Sequence, residues 1–184
     1  MKRSISIICV TACLVILAAG ANAQQQLNFA NLPLVNSPSP IPSGYGQLNW
    51  GNFFYVNPYG WSGSGAGYRL GPKDEDVAFI GGESCRLSGN TCYGTLSSAG
   101  GFELVSANVA AGSNPEAIIV NAYTNGRFVG SANYFLTTEM RTLIFPSSWG
   151  VVTEVSIQSD GSPGDFVVYS LNLYTVVEDP PPLH

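Results

Sequence analysis

The sequence predicts an all-β fold, a jelly-roll β-sandwich of about eight or nine strands in one domain. Short runs rich in β-branched and aromatic residues alternate with glycine, proline and asparagine turns about every 8–12 residues. Beyond the N-terminal apolar stretch, no segment shows the 3.6-residue period of a helix. An immunoglobulin-like sandwich and a closed barrel are the alternatives. The Cys-Trp-Cys spacing of immunoglobulin domains is absent, and long irregular connections favour the jelly roll.

The N-terminus has the three parts of a signal peptide. Lys2 and Arg3 precede an apolar run over residues 5–19, and Ala21-Asn22-Ala23 has the small-x-small pattern of a cleavage site. A membrane anchor is the alternative, but the run is short for a span and has the wrong flanks. We therefore predict a signal peptide over residues 1–23 and a secreted, extracellular protein that is not membrane-bound after cleavage.

The charge balance excludes some partners. Loss of Lys2 and Arg3 leaves five basic residues against twelve acidic ones, a net charge of −7. Such an acidic chain is a poor match for nucleic acid or for an anionic membrane. Residues 24–178 are long enough for one β-sandwich domain, and the proline-rich residues 179–184 are predicted to be a disordered tail. Composition says nothing about oligomeric state.

The first half of the mature chain is predicted to contain three strands. They cover residues 24–34, 48–57 and 76–80, each with alternating or continuous apolar residues. The connector over residues 35–43 holds Pro38, Pro40 and Pro42, which favour an extended chain.

The second half is predicted to contain a hairpin and four further strands. Asn125-Gly126 separates two β-rich runs, and this dipeptide suits a type I′ turn because both central positions need φ > 0. The hairpin strands cover residues 117–123 and 127–136. The other strands cover residues 101–111, 142–145, 151–158 and 166–176.

Two cysteines remain after the signal peptide. Cys85 and Cys92 form an even pair in an oxidising compartment, and a disulfide clasping the loop between them is predicted. Zinc is the alternative, but it needs two further ligands, and the single histidine is His184 at the end of the chain. We therefore predict no metal site and no cofactor.

Residues 45–68 are unusually aromatic. Trp50 and Phe53 are expected in the core. Tyr59, Trp61 and Tyr68 lie in a Gly/Ser-rich loop, where exposed rings could stack under a sugar. Asn57 would then read sugar hydroxyl groups, and Trp149 is a second loop aromatic of the same kind. The alternative is that this loop packs over one edge of the sandwich.

Catalytic signatures are scarce. The chain has no internal histidine, no G-x-S-x-G motif and no unpaired cysteine if Cys85 and Cys92 are bonded. Glu103 and Glu154 could supply the two carboxylates of a glycosidase, but nothing in the sequence pairs them. No catalytic residue is predicted.

Several segments, read in order, carry a resemblance. They are G-Y-G-Q-L-N-W-G-N-F-F-Y-V-N, D-V-A-F-I-G-G, G-F-E-L-V-S-A-N-V-A-A, the hairpin V-N-A-Y-T-N-G-R-F-V-G-S and the closing D-F-V-V-Y-S-L-N-L. Their order resembles secreted β-sandwich domains of bacterial PEP-CTERM exported proteins and of fungal or other eukaryotic microbial secreted proteins. The resemblance covers nearly the whole mature chain. It implies the galactose-binding-like jelly roll shared with many carbohydrate-binding modules.

The chain departs from that family where a calcium site would be expected. Family members tend to open with F-D-D-L and close with F-x-M-D-N-L, and those aspartates resemble a calcium-binding pair. Here Ala30 and Asn31, and later Tyr169 and Ser170, occupy these positions, so no calcium site is expected there. The acidic run over residues 74–76 is expected to be a solvated turn rather than a cation site.

Three functions are therefore weighed. The first is a secreted, non-catalytic domain with a carbohydrate-binding-like role at the cell surface or wall, whose partner is a glycan or cell-wall polysaccharide. The second is an extracellular structural or protein-interaction component of a matrix, a coat or a host contact. The third is a glycoside-acting enzyme.

Overall fold

The computed structural model describes residues 23–81, Cys85, residues 92–160 and residues 165–176. The predicted proline-rich tail lies outside these residues, as does the predicted signal peptide apart from Ala23. In the described part of the chain, no helix is both long and apolar enough to cross a membrane.

The described chain forms eleven β-strands and three short 3-10 turns. The turns are Tyr45–Gln47, Ala66–Tyr68 and Ser147–Trp149. The strands are β1 (Ala23–Leu27), β2 (Ser39–Pro40), β3 (Asn49–Gly51), β4 (Phe54–Val56), β5 (Val77–Ile80), β6 (Tyr93–Ala111), β7 (Glu116–Thr124), β8 (Arg127–Leu136), β9 (Arg141–Ile144), β10 (Val152–Asp160) and β11 (Phe166–Thr175).

All strand pairings of the described chain are antiparallel. The strands form two sheets that share β6. The first sheet has the order β3, the start of β6, β10, β7 and β8. The second sheet has the order β9, the end of β6, β11, β5, β4 and β2, with β1 also against β11. The path ends at β2 and β8, so the described strands form an open sheet folded on itself rather than a closed barrel.

Strand β6 passes from one sheet to the other at a glycine. Its pairing with β10 jumps from Ser97 opposite Glu154 to Phe102 opposite Val152. Gly101, with φ +80°, lies in this jump. A positive φ is costly for residues with a Cβ, so glycine allows the local bulge that turns the strand.

The core lies between the two sheets. Ile118, Val120, Val155 and Ile157 face inward from the first sheet and are buried. From the second sheet, alternating residues of β6 and β11 meet them in the same apolar cluster; they include Leu104, Val109, Phe166, Val168, Leu171 and Leu173. The opposite residues of each strand therefore form two outer faces.

The predicted all-β jelly-roll class is confirmed, with more strands than expected. The hairpin is confirmed too, because Asn125 (φ 52°) and Gly126 (φ 76°) both have positive φ between β7 and β8. The structure adds β2, which the prolines of the connector obscured, and divides the single strand predicted over residues 48–57 into β3 and β4. It also extends β6 by its first half. Pro40 fits at the outer edge of the second sheet, where a missing N–H breaks no ladder.

Candidate functional site

The Gly/Ser-rich loop that holds Tyr59, Trp61 and Tyr68, here called the aromatic loop, covers the outer face of the second sheet. Trp61 stacks on Phe79 of β5, with ring centroids 5.4 Å apart and planes 26° from parallel, and meets Tyr68 edge-on at 5.4 Å. Tyr68 is fully buried and packs edge-on against Phe79. Together with Val77 and Val167 these rings form a second apolar cluster. The alternative that the loop packs over the sandwich is therefore what the structure shows.

Hydrogen bonds hold the rest of this loop in place. The Tyr59 hydroxyl donates to the carbonyls of Arg69 (2.9 Å) and Gly71 (3.1 Å), and Lys73 Nζ lies 5.8 Å from its ring centroid. Asn57 Oδ1 accepts from the N–H of Tyr59 at 2.9 Å. Tyr59 and Asn57, two of the five predicted ligand-binding residues, thus have partners inside the loop, although Tyr59 keeps 38 % of its surface exposed.

Trp149 lies elsewhere in the molecule. It is buried, packs 6.0 Å from Phe145, and its indole edge lies where a Cβ at Gly130 would be. The five predicted ligand-binding residues therefore do not form one exposed platform. Tyr68 and Trp149 present no free ring face, and ligand binding at Tyr59, Trp61 and Asn57 stays a prediction.

The remainder of that second face is polar, and its side chains bond to one another. Thr142 Oγ1 donates to Asn108 Oδ1 (2.7 Å), and Asn108 Nδ2 donates to Ser170 Oγ (3.0 Å). In the next row, Asn172 Nδ2 donates to Ser106 Oγ (2.8 Å). The amides of this face thus already use part of their hydrogen-bonding capacity.

The outer face of the first sheet, here called the open face, has no such cover among the described residues. The strand register arranges its outward side chains in three rows that cross the strands. The first row is Asn49, Ser97, Glu154, Tyr123 and Phe128; the middle row is Gly51, Thr95, Ser156, Asn121 and Ser131; the third row is Tyr93, Gln158, Ile119 and Asn133.

The middle row forms the floor of a trough. Its side chains are small, whereas Glu154 and Tyr123 on one side and Tyr93 and Gln158 on the other are long. Ser156 is only 5 % exposed although it alternates with the inward residues Val155 and Ile157, because its taller neighbours flank it. Five strands about 4.8 Å apart make this trough roughly 19 Å long.

Gly51 keeps the edge of the floor low. A Cβ at this position would collide with Thr95 Oγ1 on the neighbouring strand. The two residues lie directly opposite each other in the β3–β6 pairing. Glycine therefore allows β3 to pair closely with β6 without a side chain across the trough.

Most polar side chains of the open face have no protein partner; the exception is Asn49, whose Oδ1 accepts a hydrogen bond of 2.8 Å from Ser43 Oγ. Within the described residues, none of the following makes a side-chain hydrogen bond to the protein: Thr95, Ser97, Asn121, Ser131, Asn133, Glu154, Ser156 and Gln158. Of these, Ser131 and Asn133 are exposed and Ser156 is buried, whereas the other five are half-buried. Polar groups without protein partners are available to a ligand. This distinguishes the open face from the hydrogen-bonded second face.

Two tyrosines and a carboxylate flank the floor. Burial raises the pKa of Tyr93, and the charge of Glu154 and the neighbouring Tyr123 raise it further. Tyr123 meets Phe128 edge-on at 5.8 Å, which holds its ring at the end of that row. The trough therefore has aromatic walls and a polar floor.

The acidic residues that the sequence offered as catalytic or cation-binding candidates lie in different parts of the molecule. Glu103 lies on the second-sheet half of β6, whereas Glu154 lies on the open face. Asp76 was expected in a solvated turn, and for this residue the expectation is wrong, because its side chain is only 3 % exposed. Asp76 lies next to β5. Burial raises its pKa to about 6, and the Val35 N–H acts in the opposite direction. No group of three metal-binding side chains occurs among the described residues.

Two carboxyls that the sequence did not suggest, buried Glu116 and half-buried Asp165, influence each other near the start of β7. Glu116 is 8 % exposed and accepts a hydrogen bond of 2.6 Å from Ser159 Oγ. Burial raises the pKa of Glu116 to about 7, and the charge of Asp165 raises it further against the effect of Ser159. Burial also raises the pKa of Asp165, despite the lowering effect of the Tyr68 hydroxyl.

The predicted disulfide is present. Cys85 and Cys92 are bonded, with Cα atoms 4.2 Å apart, and both are buried in the main apolar cluster. The bond anchors both ends of the intervening loop to the core.

Comparison with known proteins yields structural likeness without sequence likeness. No protein-family model and no curated protein matches the chain, so the resemblance to PEP-CTERM exported proteins stays a prediction. An exo-β-agarase structure aligns with 86 % of the chain at 9 % identity and a TM-score of 0.49, and the chain spans a quarter of the length of that agarase.

Two smaller solved domains align over most of their own length. A family 11 carbohydrate-binding module of a Clostridium thermocellum cellulase aligns with 86 % of this chain and 98 % of that one, at 10 % identity and a TM-score of 0.44. An F5/8 type C domain from Bacteroides fragilis aligns with 76 % of this chain and 97 % of that one, at 15 % identity and a TM-score of 0.38. None of these three likenesses reaches a TM-score of 0.5, and none places the chain in a family.

Proposed function

We propose that this protein is a secreted, non-catalytic domain that binds a polysaccharide along the trough of the open face. The observation that carries the proposal is the row of unpartnered polar side chains between Tyr93 on one side and Tyr123 on the other. A sugar ring has apolar C–H faces and polar hydroxyl edges, so aromatic walls and amide or hydroxyl floors match both.

The trough suits an extended chain rather than a compact ligand. It crosses all five strands and reaches both outer strands of the first sheet, β3 and β8. A polysaccharide could therefore lie across the strands with several residues in contact and continue beyond both edges. Asn121 and Gln158, each with donor and acceptor groups, are placed to bond hydroxyls along the way.

The test is binding of the mature protein to a panel of polysaccharides. Cellulose, mixed-linkage β-glucan, β-1,3-glucan, xylan, β-1,4-galactan and agarose would be examined by pull-down and by affinity electrophoresis. We expect retention by at least one member, with competition by its soluble oligosaccharides. A folded protein that binds none of them contradicts the proposal.

A protein-interaction role is the second candidate, and one observation favours it. Exposed apolar side chains concentrate on β8, β9 and the turn between them: Phe128, Val129, Phe135, Met140 and Ile144. Exposed apolar patches of this kind often mark protein contacts. Concentration-dependent association on a sizing column, abolished by Phe135→Ser and Ile144→Ser together, would support this role; a monomer at all concentrations would contradict self-association.

A further inference from the structure

We infer that the open face selects neutral polysaccharides, and that Glu154 is the residue that excludes anionic ones. The inference rests on the proposed function and adds the chemical class of its ligand. Among the described side chains of the three rows, Glu154 is the only charged one; the others are amides, hydroxyls, aromatic rings and one isoleucine. No lysine or arginine stands in these rows to pair with a uronate or a sulfate.

The position of Glu154 makes its charge difficult for a ligand to avoid. It lies directly between Ser97 and Tyr123 in the first row, and its charge contributes to the raised pKa of Tyr93 in the third row. A sugar in contact with both tyrosines would therefore lie beside this carboxylate. The side chain is half-buried and has no cation or hydrogen-bond donor among the described residues.

The carboxylate acts in opposite directions on the two kinds of glycan. It accepts hydrogen bonds from the hydroxyls of a neutral sugar, and bonds to a charged acceptor are stronger than those to a neutral one. It repels a uronate or sulfate brought to the same place, and the repulsion is stronger in a half-buried trough than in open water. Specificity of this kind depends on a repulsive group as much as on attractive ones.

The net charge of the whole molecule acts in the same direction. The sequence carries a net charge of −5, and −7 without its first 23 residues. This general repulsion falls with salt over a Debye length of about 10 Å at 0.1 M and about 3 Å at 1 M. A local effect of Glu154 must therefore be separated from the effect of overall charge, which requires a matched control.

The test compares two pairs of polysaccharides that differ in charge. Hydroxyethyl cellulose is paired with carboxymethyl cellulose, and β-1,4-galactan with polygalacturonate. Affinity electrophoresis in low salt gives the ratio of anionic to neutral binding for the wild type, for Glu154→Gln and for Glu103→Gln. The last variant removes the same unit of charge from the second sheet.

We expect the wild type to bind a neutral member and to discriminate against its anionic partner. Glu154→Gln should raise the ratio of anionic to neutral binding about three-fold or more, the scale expected for one exposed charge interaction. Glu103→Gln should leave the ratio unchanged. A ratio unaffected by Glu154→Gln, or raised equally by both variants, overturns the inference while neutral binding upholds the proposed function.

Two further readouts keep the test decisive. Addition of 0.5 M NaCl to the wild type should raise its relative affinity for the anionic member, and this needs no variant that could misfold; an unchanged ratio counts against the inference. If a folded wild type binds neither neutral member, the inference is overturned. The same result overturns the proposal that the trough binds a cellulose- or galactan-type chain.

Discussion

Trp61 stacks on Phe79 with ring centroids 5.4 Å apart, and this contact helps to cover the outer face of the second sheet. Phe79 points outward from β5, so an uncovered second sheet would expose it together with Val77 and Val167. The loop that follows Asn57 folds back and buries these side chains. The aromatic loop is therefore a structural cover, and the first sheet retains the free face.

Substitution of Gly67 tests the covering role of the loop. A Cβ on Gly67 would collide with the carbonyl oxygen of Ala111, and the Gly67 N–H donates to Gly112 O at 2.9 Å. We expect Gly67→Ala to lower the free energy of unfolding by about 2 kcal/mol, the usual scale of overpacking. The measurement is urea unfolding. Ser62→Ala, at an exposed position in the same loop, is the control and should change stability by less than about 0.5 kcal/mol.

The same variant separates the cover from the proposed site. Because the open face lies on the other sheet, any folded Gly67→Ala protein should bind polysaccharide as the wild type does. Loss of binding without loss of stability would mean that the loop itself contacts the ligand, which is one of the two roles that the sequence left open.

Glu116 should make stability depend on pH. Burial raises its pKa from 4.5 to about 7, so the folded protein prefers the protonated carboxyl. The stability that this preference contributes is fully present below pH 4.5 and is lost as pH rises through 7; it amounts to about 3 kcal/mol. Asp76 acts in the same direction with a pKa of about 6.

Urea unfolding at several pH values between 4.5 and 8 checks this prediction. We expect Glu116→Gln, which keeps an oxygen for Ser159 Oγ, to flatten the decline of stability with pH. Glu103→Gln is the control and should leave the profile unchanged. A Glu116→Gln profile as steep as that of the wild type would show that this carboxyl is not the source.

The disulfide should contribute measurable stability. Cys85 and Cys92 close a short loop, with a sequence separation of 7, and a loop of that size restricts the unfolded chain by about 2 kcal/mol in the chain-entropy model. Unfolding measured with and without a reductant should differ by this amount in the wild type. The Cys85→Ala/Cys92→Ala variant should not respond to the reductant, and a wild type equally indifferent to it would refute the contribution.

Local signals predicted most of the fold. β-rich runs between turn residues identified β7, β8 and β10, and alternation identified β11. Asn125-Gly126 identified the hairpin turn, because few other residues adopt two consecutive positive φ values. The first half of β6 was missed, because Ser97–Gly101 is small and polar or glycine-rich. Its strand character comes from pairing with β10 and β3, which no local pattern records.

The site was harder to predict than the fold. Large aromatics in a glycine-rich loop left two roles open, sugar binding and packing over the sandwich, and the packing depends on Phe79, which is distant in sequence. Conversely, Tyr93, Tyr123 and Glu154 come together only through strand register. The outward positions of residues 117–123 and 151–158 could have been read from alternation, but the row that joins them requires the strand order.

Affinity measurements on single tyrosine variants test the central claim most directly. Tyr93→Ala, Tyr123→Ala and Tyr59→Ala would each be titrated calorimetrically with a soluble oligosaccharide of the polysaccharide that the wild type retains, with circular dichroism to confirm folding. We predict that Tyr93→Ala and Tyr123→Ala each weaken binding about ten-fold, as loss of a stacking ring should. Tyr59→Ala should bind as the wild type does. Full affinity in both open-face variants, with loss of affinity in Tyr59→Ala, would contradict the account and place the site on the aromatic loop.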